Sequence, residues 1–212
     1  MTDELSSRRA SFEALFSRDP DPWQFEVSGY ERDKRDATIA ALGGMRFAAG
    51  LEIGCATGVL TEQLSARCDA LLALDISDRA LGLARERLRA ETTISFVRGE
   101  VPDDWPDGAF DLIVLSEVLY FLSAAEIAAT SQRAMASLKD GGICLLVNWT
   151  GDNDLPVGGD EAVRLFAEAA AWQRDLAGRE STYRIDRFRA LGGIPPSDDH
   201  RDGGRDGRRL DE

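Results

Sequence analysis

The sequence predicts an α/β fold: a doubly wound, mostly parallel seven-stranded sheet with helices on both faces and an antiparallel C-terminal hairpin. Three observations lead there. Short apolar runs alternate with helix-length stretches between residues 45 and 150, as parallel strands joined by helical crossovers do. Leu112-Ile113-Val114-Leu115 and Ile143-Cys144-Leu145-Leu146-Val147 are apolar without alternation, the mark of strands buried on both faces. The first apolar run ends in a small-residue turn, Gly54-Cys55-Ala56-Thr57-Gly58, at the place where such sheets hold ligands.

The elements follow in order. Residues 8–18 form a short helix with Phe12, Leu15 and Phe16 on one face, broken by Asp19-Pro20-Asp21-Pro22. Ser28 then N-caps a second helix, with Glu31 reaching back to complete a capping box; Gly43-Gly44 stops it near Leu42. Strands are expected at 50–54, 70–75, 94–98, 110–116 and 142–148, and helices at 58–67, 77–90 and 123–139. After a Gly- and Asp-rich loop, residues 160–171 form a last helix, and 172–178 with 182–189 form the closing hairpin. From Gly192 no apolar period remains, so 192–212 is expected to be a disordered tail. The chain thus divides into an N-terminal helical cap (1–44), a ligand-binding core (45–191) and that tail.

Charge and composition exclude several classes. The net charge of −13 leaves no basic face before the tail for displacing counterions from nucleic acid. An acidic surface suits a cationic or neutral substrate, and it also simply keeps a protein dissolved. No apolar run approaches the roughly 20 residues that span a bilayer, and the acidic start Met1-Thr2-Asp3-Glu4 is unlike a signal peptide; a cytoplasmic location and no membrane partner are expected. Cys55, Cys68 and Cys144 lack metal-ligand spacing, and His200 is the single histidine, so no metal, zinc site or histidine triad is expected.

The ligand site is read from two strand ends. Gly54 and Gly58 give the turn its freedom and Ala56 is nearly as small. A dinucleotide fingerprint wants small residues at 54, 56 and 59, but position 59 is Val. Asp75, closing the next strand, is placed to accept both hydroxyls of a ribose. Glu52 can steer the turn or a ligand ammonium. Glu100 or the Val101 N–H stands level with an adenine edge, although a strand-end acid such as Glu100 or Asp111 is as often solvated.

This set resembles the class I S-adenosylmethionine-dependent methyltransferases over residues 45–150, with Ala56 departing from that family's glycine pattern and Glu100 standing for its common Asp. Further segments tighten the resemblance: Asp21-Pro22-Trp23-Gln24-Phe25, Ser28-Gly29-Tyr30-Glu31-Arg32-Asp33-Lys34, Ser116-Glu117-Val118-Leu119-Tyr120-Phe121-Leu122, and Asn148-Trp149-Thr150-Gly151-Asp152. These look like the rhizobial nodulation N-methyltransferases, over residues 15–190. The resemblance implies S-adenosyl-L-methionine as cofactor and N-methylation of a free amine on an N-deacetylated chitooligosaccharide or related amino sugar. It also implies a cofactor set of Trp23, Tyr30, Glu52, Gly54, Ala56, Gly58, Asp75, Ile76, Glu100, Val101 and Ser116. Glu117 and Tyr120 are the candidate catalytic pair, with Glu117 either taking a proton or anchoring an ammonium, and Tyr120 either catalytic or core. Trp23 and Tyr30 either fold over the cofactor or staple the N-terminal segment to the sheet. An oxygen or sulfur acceptor stays open at this point. A nicotinamide reductase is disfavoured, because its tyrosine–lysine spacing in Tyr30–Lys34 precedes the glycine turn rather than following it.

Overall fold

The computed structural model describes residues 6–152 and 154–190. Its strands are β1 (Phe47–Ile53), β2 (Cys68–Asp75), β3 (Ile94–Arg98), β4 (Phe110–Ser116), β5 (Leu138–Trp149), β6 (Trp172–Arg179) and β7 (Tyr183–Ala190). Its helices are α1 (Ser7–Arg18), α2 (Gly29–Ala41), α3 (Val59–Ser65), α4 (Asp78–Arg87), α5 (Ala124–Ser137) and α6 (Gly159–Glu168). The sheet order is β3-β2-β1-β4-β5-β7-β6. β1 to β5 run parallel, and β7 lies antiparallel between β5 and β6.

Alternation of side chains along the strands builds two core layers. Ile113, Leu115, Cys144 and Leu146 face Ile127, Ala134, Ala162 and Phe166 of α5 and α6. Their neighbours Leu112, Val114, Ile143, Leu145 and Val147 face the opposite way, packing with Leu42, Leu60 and Leu64. Both sets are essentially inaccessible to water, so a one-residue slip of β4 or β5 would exchange two fully packed faces.

Two differences from the sequence expectations have local causes. β5 starts at Leu138, four residues early in a stretch whose Asp140-Gly141-Gly142 reads as a turn. Leu138 pairs with Phe110, and the ladder resumes at Leu112–Ile143 after an irregularity. The capping box expected at α2 is only half formed: Ser28 Oγ accepts from the Glu31 N–H at 3.3 Å, while the Glu31 side chain turns inward to Lys34. A complete box forms instead at α5, between Ser123 and Glu126. The tail expected at 192–212 lies outside the described residues.

Candidate active site

The strand order reverses direction between β1 and β4, and ligands of open α/β sheets bind beyond the carboxyl ends of the strands at such a point. A cavity of about 510 Å³ opens there, within the roughly 300–1,000 Å³ of small-molecule sites. The ends of β1 to β5 form its floor, and α1, α2 and the Trp23–Phe25 segment wall it in.

The turn after β1 is held by Asp75. One carboxylate oxygen accepts from the Ala56 N–H at 2.9 Å, and the other accepts from the Ser77 N–H at 2.9 Å. Ala56 is thereby kept at φ +47°, a left-handed conformation costly for a residue with a Cβ. Each oxygen of Asp75 retains a second lone pair, so it can still accept from a ligand hydroxyl. Burial pushes the Asp75 carboxyl up to about 6, against the opposing pull of the Ser77 and Ala56 amides.

Glu52 lies beneath the same turn, 1% exposed. Its Oε2 has no hydrogen-bond partner among the described residues. Burial pushes its carboxyl up to about 7; the nearby Thr61 hydroxyl opposes this and Asp75 adds to it. An unpaired buried carboxyl is expensive, and this one belongs to a residue that lines the cavity. Cys55 in the same turn is pushed well up by burial, with Asp75 and Glu52 adding to it. Its thiol stays protonated, which rules out a thiolate nucleophile.

Glu100 reaches the cavity, but its carboxylate is taken. It accepts from Ser6 Oγ and pairs with Arg8 at 2.7 Å, and Arg8 also pairs with Glu126 at 3.0 Å. These contacts latch α1 to the end of β3 and to the first turn of α5. Val101, 5% exposed beside it, is left to face the cavity. Asp111 lies at the opposite end of β4, accepting from the Ala49 N–H and pairing with Lys139, so it takes no part in the cleft.

After β4 the chain turns sharply, with Glu117 at φ +59°. Its Oε2 accepts from the Tyr120 hydroxyl and from the Trp149 N–H at 3.1 Å. Its Oε1 lies 3.1 Å from Lys34 Nζ. Burial pushes the Tyr120 hydroxyl well up, and Glu117 adds to this, so Tyr120 remains a proton donor. Burial alone would lower Lys34; Glu117 and Glu31 outweigh it and hold the ammonium above its ordinary value.

Every residue singled out in the sequence for cofactor or catalysis lines this cavity except Gly58. Gly58 N-caps α3 at φ +82°, and a Cβ there would press on Ala84 of α4 and on Leu88, which caps it. Its small size serves this packing, and its positive φ serves the turn. Trp23 and Tyr30, both about 40% exposed, stand at the mouth. Trp23 packs on Phe12, Phe16 and Phe25, and Tyr30 edges onto Tyr183.

Sequence reasoning missed the α2 wall. Glu31, Lys34, Arg35 and Thr38 line the cavity at helical spacing. The signal was present as a stripe at i, i+3, i+4 and i+7, but it is polar and so reads as a solvated face. Arg35 donates to the Phe25 carbonyl at 2.7 Å, and its buried Nε has no partner among the described residues.

Comparison with known proteins agrees with this geometry. The family model described as Nodulation protein S (NodS) matches residues 11–147. Nodulation protein S of Sinorhizobium fredii (strain NBRC 101917 / NGR234) is 29% identical over 119 residues, covering 56% of this chain and 55% of that protein. Nodulation protein S of Rhizobium tropici is 35% identical over 125 residues, covering 58% and 52%. The chain therefore spans about half the length of the curated relatives it matches. Among solved structures, the N-methyltransferase NodS from Bradyrhizobium japonicum WM9, in complex with S-adenosyl-L-homocysteine, superposes with a TM-score of 0.78. It is 26% identical, with 88% of this chain and 100% of that one covered.

Proposed function

Given that the chain belongs to the Nodulation protein S (NodS) family, we propose that it is an S-adenosyl-L-methionine-dependent methyltransferase. Its acceptor is a free amine, such as that on an N-deacetylated chitooligosaccharide. The observation that carries this is the pair of buried carboxyls, Glu52 and Asp75, that line one cavity from two adjacent strand ends. A ligand bearing both a ribose and an ammonium answers both.

The cofactor supplies a methyl group activated by a sulfonium, transferred in line to a nucleophile. The chain's own residues bind, align and exclude water. Asp75 accepts from the ribose hydroxyls, and Glu52 accepts from the ammonium of the methionine part. With the Glu100 carboxylate engaged by Arg8, the Val101 backbone is the group left to read the adenine edge. Arg35 lines the cavity with a guanidinium, a charge matched to the methionine carboxylate. Gly54, Ala56, Ile76 and Ser116 shape the floor, and Trp23 and Tyr30 close the mouth. Glu117 and Tyr120 stand on the acceptor side, fixed to each other and to Lys34. In this arrangement the charge of Glu117 favours an amine on the acceptor side without touching it, and Tyr120 holds Glu117 rather than acting as a base.

Two measurements test this reading. Calorimetry with S-adenosyl-L-homocysteine is expected to show binding that weakens about tenfold in Arg35→Met. Labelled cofactor offered with amines, phenols and thiols is expected to label amines, glucosamine oligomers foremost. Absence of binding rejects the cofactor; product on phenols or thiols alone rejects the amine.

A further inference from the structure

The half-made cap of α2 has a chemical consequence. Glu31 sits in the first turn of a helix, where a carboxylate is stabilised in water by the dipole and by the N-cap amide. It is instead buried, its side chain 10% exposed, and it lines the cavity. Its Oε1 lies 3.0 Å from Lys34 Nζ, which also serves Glu117 at 3.1 Å. Two carboxylates share one ammonium, leaving the Glu31–Lys34–Glu117 cluster with one negative charge in excess. A buried charge of this kind demands a partner.

The two carboxylates are not equivalent. Glu117 is held by structure: Oε2 accepts from Tyr120 and Trp149, while Oε1, 3.1 Å from Lys34 Nζ, is buried away from the cleft and makes no hydrogen bond among the described residues. Glu31 enters the network through Oε1 alone. Its Oε2 accepts from no donor among the described residues, yet the side chain faces the cleft. Beside it, the Tyr30 ring is held between Lys34, 5.1 Å from its centroid, and Tyr183, and presents an exposed face at the mouth.

We propose that Glu31 is the residue that binds the acceptor, its Oε2 receiving an N–H of a protonated or neutral amine while Lys34 holds Oε1 in place. The surplus negative charge then selects an amine over a neutral hydroxyl, thiol or acetamide. The inference rests on the amine reading above and adds the residue that makes the choice.

The test uses the full chain loaded with S-adenosyl-L-homocysteine. Binding of a glucosamine tetramer and of its fully N-acetylated counterpart is measured by calorimetry on wild type, Glu31→Gln and Glu31→Asp. Wild type is expected to prefer the free amine by about tenfold, the worth of a hydrogen bond to a charged group. Glu31→Gln is expected to erase that preference and raise KM for the tetramer by a similar factor. Glu31→Asp, which keeps the charge, is expected to retain part of it. Affinity for S-adenosyl-L-homocysteine should stay within about twofold in both variants. Equal binding of the two tetramers by wild type overturns the proposal without needing any variant to fold. So does a Glu31→Gln protein that keeps the preference. If wild type binds S-adenosyl-L-homocysteine but methylates only phenols or thiols, the amine reading itself fails and this inference falls with it.

Discussion

Replacing Glu52 by Gln is expected to stabilise the free protein at pH 8 while weakening its grip on S-adenosyl-L-homocysteine. Both effects come from one buried carboxyl. Burial raises it from 4.5 to about 7, so the folded chain holds its proton more tightly than the unfolded chain does. Between those two values the folded state binds more protons, and stability therefore falls as the pH rises. Above pH 7 the full cost of keeping Glu52 ionised is present, of order 3 kcal/mol for such a shift. Gln keeps the shape and carries no charge, so stability at pH 8 should rise by about 1–2 kcal/mol after the cost of imperfectly bonding the amide. Below pH 5 the two proteins should be nearly equal. With Glu52 as the proposed acceptor of the ligand ammonium, the variant's affinity should fall by about 1.5–3 kcal/mol. Urea titrations at pH 5 and pH 8, with calorimetry alongside, check both signs. A variant that is less stable at pH 8 and binds unchanged would make Glu52 a structural residue.

The same contrast explains what was legible in the sequence. β3 and β4 coincide with their apolar runs because both ends of each run are marked by polar or turn residues. The site floor was legible because a strand-end acid, a small-residue turn and a second strand-end acid form a linear pattern: Glu52, 54–58, Asp75. The α2 wall was not. Glu31, Lys34, Arg35 and Thr38 have the composition of a solvated helix face, and only the tertiary fold turns that face onto a cavity. Gly58 is a mixed case: its φ of +82° is the local need that the glycine pattern announces, while its contact with Ala84 and Leu88 is one that no local reading could place. Glu100 was legible as a strand-end acid, but its capture by Ser6 and Arg8 joins residues more than ninety positions apart. Periodicity locates elements; it does not say which partner a charged end will find.

The second large effect is expected at Gly54. Two separate requirements meet there. Its φ of +80° is a conformation that side chains rarely adopt, worth about 1 kcal/mol against Ala. A Cβ would also lie 2.4 Å from Val118 Cγ2, far inside contact distance. Val118 is branched at Cβ and cannot swing aside cheaply, and it follows Glu117, itself at φ +59°. Gly54→Ala should therefore cost about 3 kcal/mol of stability, the sum of the backbone term and of overpacking. It should also reduce S-adenosyl-L-homocysteine affinity by about tenfold or more, because relieving the overlap moves the floor of the cleft. Gly43→Ala separates the two terms: its φ is +61° with nothing within 4 Å of the added Cβ, so it should lose only the backbone part, about 1 kcal/mol. Adding Val118→Ala to Gly54→Ala should recover roughly half of the lost stability, giving a double-mutant coupling of about 1–2 kcal/mol. Strict additivity of the two changes would mean that the turn after β1 and the turn after β4 do not meet. The cleft between them would then not be the place where this chain holds a ligand.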